Sequence, residues 1–192
     1  RGLTPETLQR YQIGYAPGEG SALTQHLLAL GYEEEVLVAW GLSLRSETTG
    51  RLYDRFRGRV IFPIREESGE VVAFAGRLLQ DSSDQPKYLN SPETPFYEKS
   101  EILYGLSEAR SVLRKGAPAL IVEGYMDVLA LHQAGFLEAV ATCGTALTEA
   151  HLARLRRYTR SLILLYDADE AGQAAVRRAL HPALGAGLFV KV

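Results

Sequence analysis

Cysteine, methionine and tryptophan each occur once in the 192 residues, and no apolar run is as long as a membrane-spanning helix. The single cysteine, Cys143, cannot form an internal disulfide or a multi-cysteine zinc site. Because Cys143 lies in an apolar, strand-like segment, we expect it to be buried and structural rather than a catalytic thiol. The four histidines show no metal-ligand spacing, so they are interpreted as structural or surface residues. The first residues do not resemble a secretory signal, and the sequence therefore predicts a cytoplasmic protein.

An excess of charge of one sign is also absent, since the formal net charge is −2 at pH 7. Bulk charge therefore gives no support for nucleic-acid binding, and any such binding must come from a local patch. The phosphate-binding pattern Gly-x-x-x-x-Gly-Lys is missing as well, which excludes a P-loop ATPase and a helicase motor of that kind. The hydrophobic content of 46% and the charged content of 23% are ordinary for a globular protein.

Strand-like and helix-like segments alternate in the C-terminal part of the chain. The predicted strands cover residues 118–123, 138–142, 161–166 and 187–192, and the predicted helices cover residues 126–134, 148–158 and 170–180. This order predicts a mostly parallel sheet with right-handed crossovers.

The N-terminal part has a different pattern. It is mostly helical up to residue 45, and a hairpin is predicted from strands at 59–64 and 71–77. A long loop over 81–100 and a helix over 107–114 follow. The predicted fold class is therefore α/β: an α+β subdomain over residues 1–116, followed by a parallel-sheet α/β subdomain over residues 117–192.

Acidic residues follow two of the predicted strands. Glu123 and Asp127 come after the strand at 118–123, and Asp167 and Asp169 come after the strand at 161–166. Ligands bind at the carboxyl ends of such strands, and four carboxylates at one edge would repel one another without a cation. Oxygen ligands of this kind suit Mg²⁺ or Mn²⁺ rather than zinc. The alternative is that each acid caps a helix, where it meets free backbone N–H groups and the helix dipole.

Basic and aromatic residues form a second group. Arg55, Arg57 and Arg59 would share one face if they lay on a strand, and a row of guanidinium groups suits phosphate contacts. The residues that could stack on the bases of a single strand are Tyr88 and, more weakly, Phe96 and Tyr97. The alternative is a solvated charged face paired with nearby acids, and composition alone does not decide between the two.

Several of these strings together resemble a known family. A Glu after a first strand and an Asp-x-Asp after a later one, here Glu123 and residues 167–169, resemble the TOPRIM domain of topoisomerases, primases and some nucleases. The primase branch is indicated by EGYMDV at 123–128, YDRFRGRVIFPI at 53–64, KYLNSPET at 87–94 and LYGL at 103–106. These strings occur in the order typical of bacterial DnaG-type primases, along nearly the whole chain.

The resemblance implies a primase catalytic core that synthesises short RNA primers on single-stranded DNA from ribonucleoside triphosphates, with Mg²⁺ or Mn²⁺ and without zinc in this fragment. It implies that Glu123 performs acid–base work or contacts metal, and that Asp167 and Asp169 hold metal. Asp127 is the primase-specific addition to this catalytic set. The positions it implies for nucleic-acid or nucleotide contact are Arg55, Arg57, Arg77, Lys87, Tyr88, Asn90 and Lys99.

The same resemblance implies a monomer of the bacterial replisome that meets the replicative helicase through a domain absent from this sequence. Two departures from the family pattern are visible. Ala168 replaces the usual glycine of the Asp-x-Asp element, and the sequence ends at Val192, before a further acidic element of the family. The alternative function is therefore a catalytically incomplete fragment that binds single-stranded DNA. A nuclease or topoisomerase is a third option, although no separate domain with a nucleophilic tyrosine is present.

Overall fold

The computed structural model of the chain describes residues 2–80 and 84–192. The described residues form two compact units. The parallel-sheet unit contains residues 2–7, Ile64–Val72 and Glu98–Val192, and the antiparallel unit contains Leu8–Pro63, residues 73–80 and residues 84–97. These units group residues by proximity, and the division at residue 116 stays a prediction. None of the helices within the described ranges combines the length and apolarity needed to cross a bilayer.

Seven helices and eleven strands are described in residues 2–80 and 84–192. The helices are α1 (Pro5–Arg10), α2 (Ala22–Ala29), α3 (Glu34–Ala39), α4 (Leu106–Leu113), α5 (Tyr125–Gln133), α6 (Glu149–Arg156) and α7 (Glu170–Gly185). The strands are β1 (Gly14–Ala16), β2 (Ser43–Arg45), β3 (Leu52–Asp54), β4 (Arg59–Arg65), β5 (Val71–Leu78), β6 (Tyr88–Asn90), β7 (Leu103–Tyr104), β8 (Ala119–Val122), β9 (Ala139–Thr142), β10 (Ser161–Leu164) and β11 (Phe189–Lys191).

A five-stranded sheet in the order β11-β10-β8-β9-β7 forms the centre of the parallel-sheet unit. Strand β8 pairs in parallel with both β9 and β10, while β7 pairs antiparallel with β9 at one edge. Ile121 of β8 lies opposite Leu164 of β10 and Val140 of β9. All four residues of β9 are buried, as expected for a strand that is covered on both faces. The predicted parallel sheet and the α/β fold class are confirmed.

Helix α7 is longer than the sequence indicates, because the prediction ended it at residue 180, before Pro182. The structure continues it through Pro182 to Gly185. Proline lacks the backbone N–H of a helix interior and normally weakens the helix. Here it lies in the last turn, and Ala179 and Ala183, which are four residues apart, are buried in the core. Packing of this face offsets the lost hydrogen bond.

The antiparallel unit contains most of a four-stranded sheet in the order β1-β4-β5-β6. The predicted hairpin is present as β4 and β5, which are joined by a turn containing Gly69 with φ +101°. The predicted loop over 81–100 is wrong at residues 88–90, because β6 pairs there with the end of β5. Residues 81–83 of that loop lie outside the described residues. A strand of three residues is too short to show a period of two, so the sequence carried no signal for it.

Asp54, at the end of β3, is buried and caps helix α2 from a distant part of the chain. Its carboxylate accepts hydrogen bonds from the backbone N–H groups of Leu23 at 3.0 Å and Thr24 at 2.8 Å, and from Thr24 Oγ1 at 2.7 Å. Ser21 occupies the N-cap position but makes no side-chain capping bond. The carboxylate oxygens of Asp54 are thus used by the helix, and among residues 2–80 and 84–192 Asp54 forms no ion pair with the arginines that follow it in sequence.

Candidate functional site

The carboxyl ends of β8 and β10 bring two of the predicted acids together. These strands are parallel neighbours, so the residues that follow them leave the sheet at the same edge. Glu123 directly follows β8, and its Oε1 accepts a hydrogen bond from the backbone N–H of Asp167 at 2.9 Å. Both side chains are exposed. Two residues that are 44 positions apart in sequence thus meet at one edge, where a charged ligand can reach them.

Asp127 and Asp169 lie in the first turns of the two helices that leave this edge. Asp127 of α5 accepts a hydrogen bond at Oδ2 from the backbone N–H of Gly124, at 3.0 Å. Asp169 is the N-cap of α7, and its Oδ1 accepts from the backbone N–H of Gly172, at 2.8 Å. The capping alternative is therefore present in the structure for both residues. Each of these bonds uses one carboxylate oxygen, so capping does not exclude a second role for the other oxygen.

Gly172 packs directly against the backbone of Asp167. A Cβ atom at Gly172 would lie 2.0 Å from the Asp167 carbonyl oxygen, so only glycine fits in this first turn of α7. Ala168, by contrast, does not have a positive φ, because Gln12 is the only non-glycine residue with positive φ among residues 2–80 and 84–192. The backbone of Ala168 therefore does not require the glycine of the family pattern.

Tyr166 lies between the end of β10 and Asp167, and sequence reasoning did not select it. It is partly buried against the core of the parallel-sheet unit. Burial and the negative charge of Glu123 raise the pKa of Tyr166 to about 12. Its phenol therefore stays neutral at physiological pH, close enough to Glu123 for that charge to act on it. A tyrosine directly before an Asp-x-Asp element was the only available signal.

The donor chemistry of this edge fits a divalent cation with oxygen ligands. The four predicted residues offer carboxylate oxygens, and all four side chains are exposed. Hard oxygen donors of this type suit Mg²⁺ or Mn²⁺. Within the part of the chain that the structure describes, however, no three His, Cys, Asp or Glu side chains are close enough to hold a metal ion as they stand. Metal binding would therefore require carboxylates to rotate towards a shared point.

Predicted nucleic-acid contacts lie together in the antiparallel unit, around β6. Arg77 of β5 lies opposite Tyr88 of β6, and its guanidinium carbon is 5.6 Å from the centre of the tyrosine ring. Arg55 donates from Nη2 to the carbonyl oxygen of Asn90 at 3.1 Å. Lys87 is exposed immediately before β6. A partly exposed basic and aromatic surface is thus built on this short strand, and it offers both phosphate and base contacts.

The three arginines at 55, 57 and 59 do not share a strand face, so that expectation is wrong. Arg55 and Arg57 lie in the connection between β3 and β4, and only Arg59 lies on a strand. The guanidinium carbon of Arg57 is 4.6 Å from the centre of the Tyr53 ring, a contact that sequence reasoning missed. Arg59 is 2% exposed and donates to the carbonyl oxygen of Gly76 at 3.2 Å. Its role is structural, because a buried guanidinium cannot reach a phosphate.

The remaining predicted contacts are placed differently. Tyr97 is 1% exposed and cannot stack on a base, whereas Phe96 is 69% exposed. Lys99 belongs to the parallel-sheet unit, and its backbone carbonyl oxygen is 3.0 Å from Nε2 of His151. The other ring nitrogen of His151 accepts from the backbone N–H of Thr148 at 3.1 Å. The histidine is therefore neutral, and burial lowers its pKa. It fixes the backbone that carries Lys99.

Comparison with known proteins identifies both parts of this architecture. Residues 117–192 match the family model of the Toprim domain, the class defined by this parallel sheet and its acidic edge. Residues 1–110 match the model described as DNA primase catalytic core, N-terminal domain. The chain belongs to the family of DnaG-type DNA primases.

Individual relatives agree with this assignment. A DNA primase of Deinococcus radiodurans is 47% identical over 192 residues, which is 100% of this chain and 33% of that relative. The E. coli primase catalytic core has a TM-score of 0.88 at 41% identity, covering 99% of this chain and 61% of that one. A DnaG primase catalytic domain solved bound to single-stranded DNA has a TM-score of 0.82 at 43% identity, covering 95% and 56%. The chain thus spans about a third of the length of the curated relative.

Proposed function

We propose that this chain is the part of a DNA primase catalytic core that carries out metal-dependent synthesis of short RNA primers. The substrates are ribonucleoside triphosphates, and the template is single-stranded DNA. The reaction is that of a DNA-directed RNA polymerase, in which a 3′-hydroxyl attacks the α-phosphate of an incoming nucleotide and pyrophosphate leaves. Primases of this family are similar to the chain over its full length.

The observation that carries this proposal is the meeting of Glu123 and Asp167 at the ends of neighbouring parallel strands. The 2.9 Å hydrogen bond from the Asp167 N–H to Glu123 Oε1 fixes both segments at one edge. Asp169 follows Asp167 at the N-terminus of α7, where its carboxylate accepts the capping hydrogen bond from the Gly172 N–H. This bond holds the segment from Asp167 to Asp169 against the helix. Exposed acids that follow two neighbouring strands at one edge are what a phosphoryl-transfer site needs if a cation is to be held beside substrate.

Asp167 and Asp169 are the proposed metal ligands, and Asp127 supplements them from α5. Glu123 is the proposed acid–base group or an additional ligand, because its Oε2 is not used in the bond to Asp167. A bound Mg²⁺ or Mn²⁺ would activate the attacking hydroxyl and neutralise the charge that develops on the transferred phosphate. Tyr166 remains neutral beside these acids and adds no further negative charge.

The antiparallel unit would supply contacts to the template and the incoming nucleotide. The residues proposed for this role are Arg55, Arg57, Arg77, Lys87, Tyr88 and Asn90, and Lys99 of the parallel-sheet unit is proposed as a further contact. The guanidinium and ammonium groups suit phosphates, and the partly exposed ring of Tyr88 suits stacking on a base. A monomer in the bacterial cytoplasm, working at the replisome with the replicative helicase, is the cellular setting that follows from this function.

A second candidate is a fragment that binds single-stranded DNA without synthesising primers. The absence of a preformed group of three metal-binding side chains among residues 2–80 and 84–192 favours it. In this case the surface around β6 would act alone, and binding would not depend on a divalent cation. The two functions therefore differ in their response to a chelator.

Primer synthesis by this chain distinguishes the two candidates. The assay uses single-stranded DNA, labelled ribonucleotides, and Mg²⁺ or Mn²⁺, with a chelator as the control. We expect RNA products that require the metal and disappear with the chelator. A chain that binds single-stranded DNA equally well with and without chelator, and forms no product, would establish the second candidate instead.

A further inference from the structure

Positive charge gathers at the amino ends of the parallel strands, opposite the acidic edge. The α4–β8 connection carries Arg114 and Lys115, and the end of α6 with the α6–β10 connection carries Arg156 and Arg160. These two connections are adjacent in space, because Oγ1 of Thr159 donates to the carbonyl oxygen of Ala117 at 2.9 Å. We call the four cations the amino-edge surface.

The amino-edge surface extends across three neighbouring strands. Beside β8, the guanidinium carbon of Arg114 is 4.9 Å from the centre of the Tyr158 ring. Beside β10, the Arg160 carbonyl oxygen accepts from the N–H of Phe189, the first residue of β11, at 2.8 Å. The guanidinium of Arg156 reaches Gly187, just before β11, since a Cβ atom built at Gly187 would lie 3.8 Å from its Nη2. With about 4.8 Å between strands, the surface covers about 10 Å.

The acids around these four cations have other partners, and Glu67 also accepts a hydrogen bond from the hydroxyl of Tyr158. The carboxylate of Glu67 forms ion pairs with two other arginines, Arg154 at 3.4 Å and Arg157 at 3.3 Å. Glu138 precedes β9 and is partly buried. Within the described ranges, no ion pair involves Arg114, Lys115, Arg156 or Arg160. All four are exposed, so their charge faces solvent.

Helix-end electrostatics explain only part of this arrangement. Cations near the C-terminus of a helix complement its dipole, but the effect is confined to the last turn. Arg156 is the final residue of α6, and Arg114 caps α4. Lys115 lies beyond the cap of α4, and Arg160 lies three residues beyond the cap of α6. The dipole therefore does not account for these two residues, although both face solvent beside the other cations.

We propose that the amino-edge surface binds the phosphate backbone of a nucleic acid, through residues other than those of the acidic edge. Successive phosphates of one stacked strand advance by about 3.4 Å along the helix axis, so a surface of about 10 Å can contact more than one phosphate and is wider than a single free anion needs. Tyr158 is buried between arginines and offers no face to a base. The contact is therefore with the backbone and is independent of sequence.

Binding of labelled oligonucleotides, followed by fluorescence anisotropy at several salt concentrations, tests this proposal. Single-stranded and duplex forms of one sequence are compared, in chelator and without nucleotides, so the result does not depend on catalysis. The test variant is Lys115→Gln with Arg160→Gln. The matched control is Arg177→Gln with Arg178→Gln, two exposed cations in the middle of α7. Both double variants remove the same charge, and thermal unfolding checks that both remain folded.

The salt slope is the change in the logarithm of the binding constant with the logarithm of the salt concentration. For single strands, its magnitude should fall by about 0.7 for each phosphate contact that the test variant loses. At about 0.1 M salt, each lost contact corresponds to about a fivefold loss of affinity. The binding contributed by the amino-edge surface should therefore weaken about 25-fold in the double variant, and the control should retain most of the affinity. The form of the oligonucleotide that shows the larger loss identifies the ligand as single-stranded or duplex.

Equal weakening by the test variant and the control would show an effect of net charge alone and would overturn the proposal. Unchanged binding by both variants would overturn it as well. Binding of polyglutamate, which carries carboxylates instead of phosphates, is measured for the same variants. Weaker polyglutamate binding by the test variant, with unchanged oligonucleotide binding, would assign the surface to an acidic protein partner instead.

Discussion

Replacement of Gly172 by alanine should disturb the Asp167–Asp169 segment more than the fold. The added Cβ would lie 2.0 Å from the carbonyl oxygen and 2.9 Å from the carbonyl carbon of Asp167, while ordinary van der Waals contact begins at 3.4 Å. The first turn of α7 and the backbone of Asp167 must therefore separate by about 1.4 Å. The carboxylates of Asp167 and Asp169 are carried on the backbone that has to move.

Two opposing terms set the expected stability of Gly172→Ala. Alanine is favoured over glycine in a helix by about 1 kcal/mol, but forcing an extra carbon into a packed site costs about 1–3 kcal/mol. We therefore expect a net destabilisation of at most about 2 kcal/mol. Activity should suffer more, since a displacement of about 1 Å at a reacting group can cost about 100-fold in rate.

Gly185→Ala is the matched control, because Gly185 is also in α7 and has no heavy atom within 4 Å of a built Cβ. Denaturant unfolding and metal-dependent primer synthesis are measured for both variants. Gly185→Ala should be neutral or slightly stabilising, with wild-type synthesis. If Gly172→Ala matched the control in both stability and synthesis, the close contact with Asp167 would not constrain the site.

Two further predictions concern titratable groups in the parallel-sheet unit. Burial lowers the pKa of His151 from its ordinary value of 6.5. As the pH falls, the unfolded chain therefore binds a proton at this histidine before the folded chain does. The stability that the neutral ring contributes is fully present above pH 6.5 and declines below it. Denaturant unfolding of wild type should show this decline, and His151→Asn should show less of it; an identical pH dependence would contradict the neutral state of the ring. The pKa of Tyr166, raised to about 12, should fall in Glu123→Gln because that carboxylate contributes to the shift. Titration followed by NMR of labelled tyrosine measures this, and an unchanged value would remove the electrostatic contact between the two residues.

Sequence predicted the acidic edge because two short-range signals coincide there. An apolar run of strand length ends in an acid at Glu123 and again at Asp167, and parallel strands leave a sheet at one edge. The capping bonds of Asp127 and Asp169 could also be anticipated, since both residues lie at the start of predicted helices. The hydrogen bond between Glu123 and the Asp167 N–H could not be predicted, because it depends on the register of β8 against β10.

Other features depend on contacts between residues that are far apart in sequence. The sequence suggests a surface cation at Arg59, beside Arg55 and Arg57. The side chain is nevertheless buried, and it donates a hydrogen bond to the carbonyl oxygen of Gly76, 17 positions away. Tyr97 reads as a stacking residue in a polar loop, but its side chain is buried. The two compact units each combine separate stretches of the chain, which no local composition signal indicates.

Primer synthesis by the double variant Asp167→Asn with Asp169→Asn tests whether these two carboxylates hold the catalytic metal. Asparagine is also a good N-cap, so the bond from the Gly172 N–H to residue 169 can persist and the fold should be retained. Glu170→Gln is the control, since it removes an exposed acid of the same segment that has no proposed role. We predict that the double variant binds single-stranded DNA normally but loses metal-dependent synthesis, while the control retains it. Synthesis at the wild-type rate by the double variant would contradict a metal site at this edge.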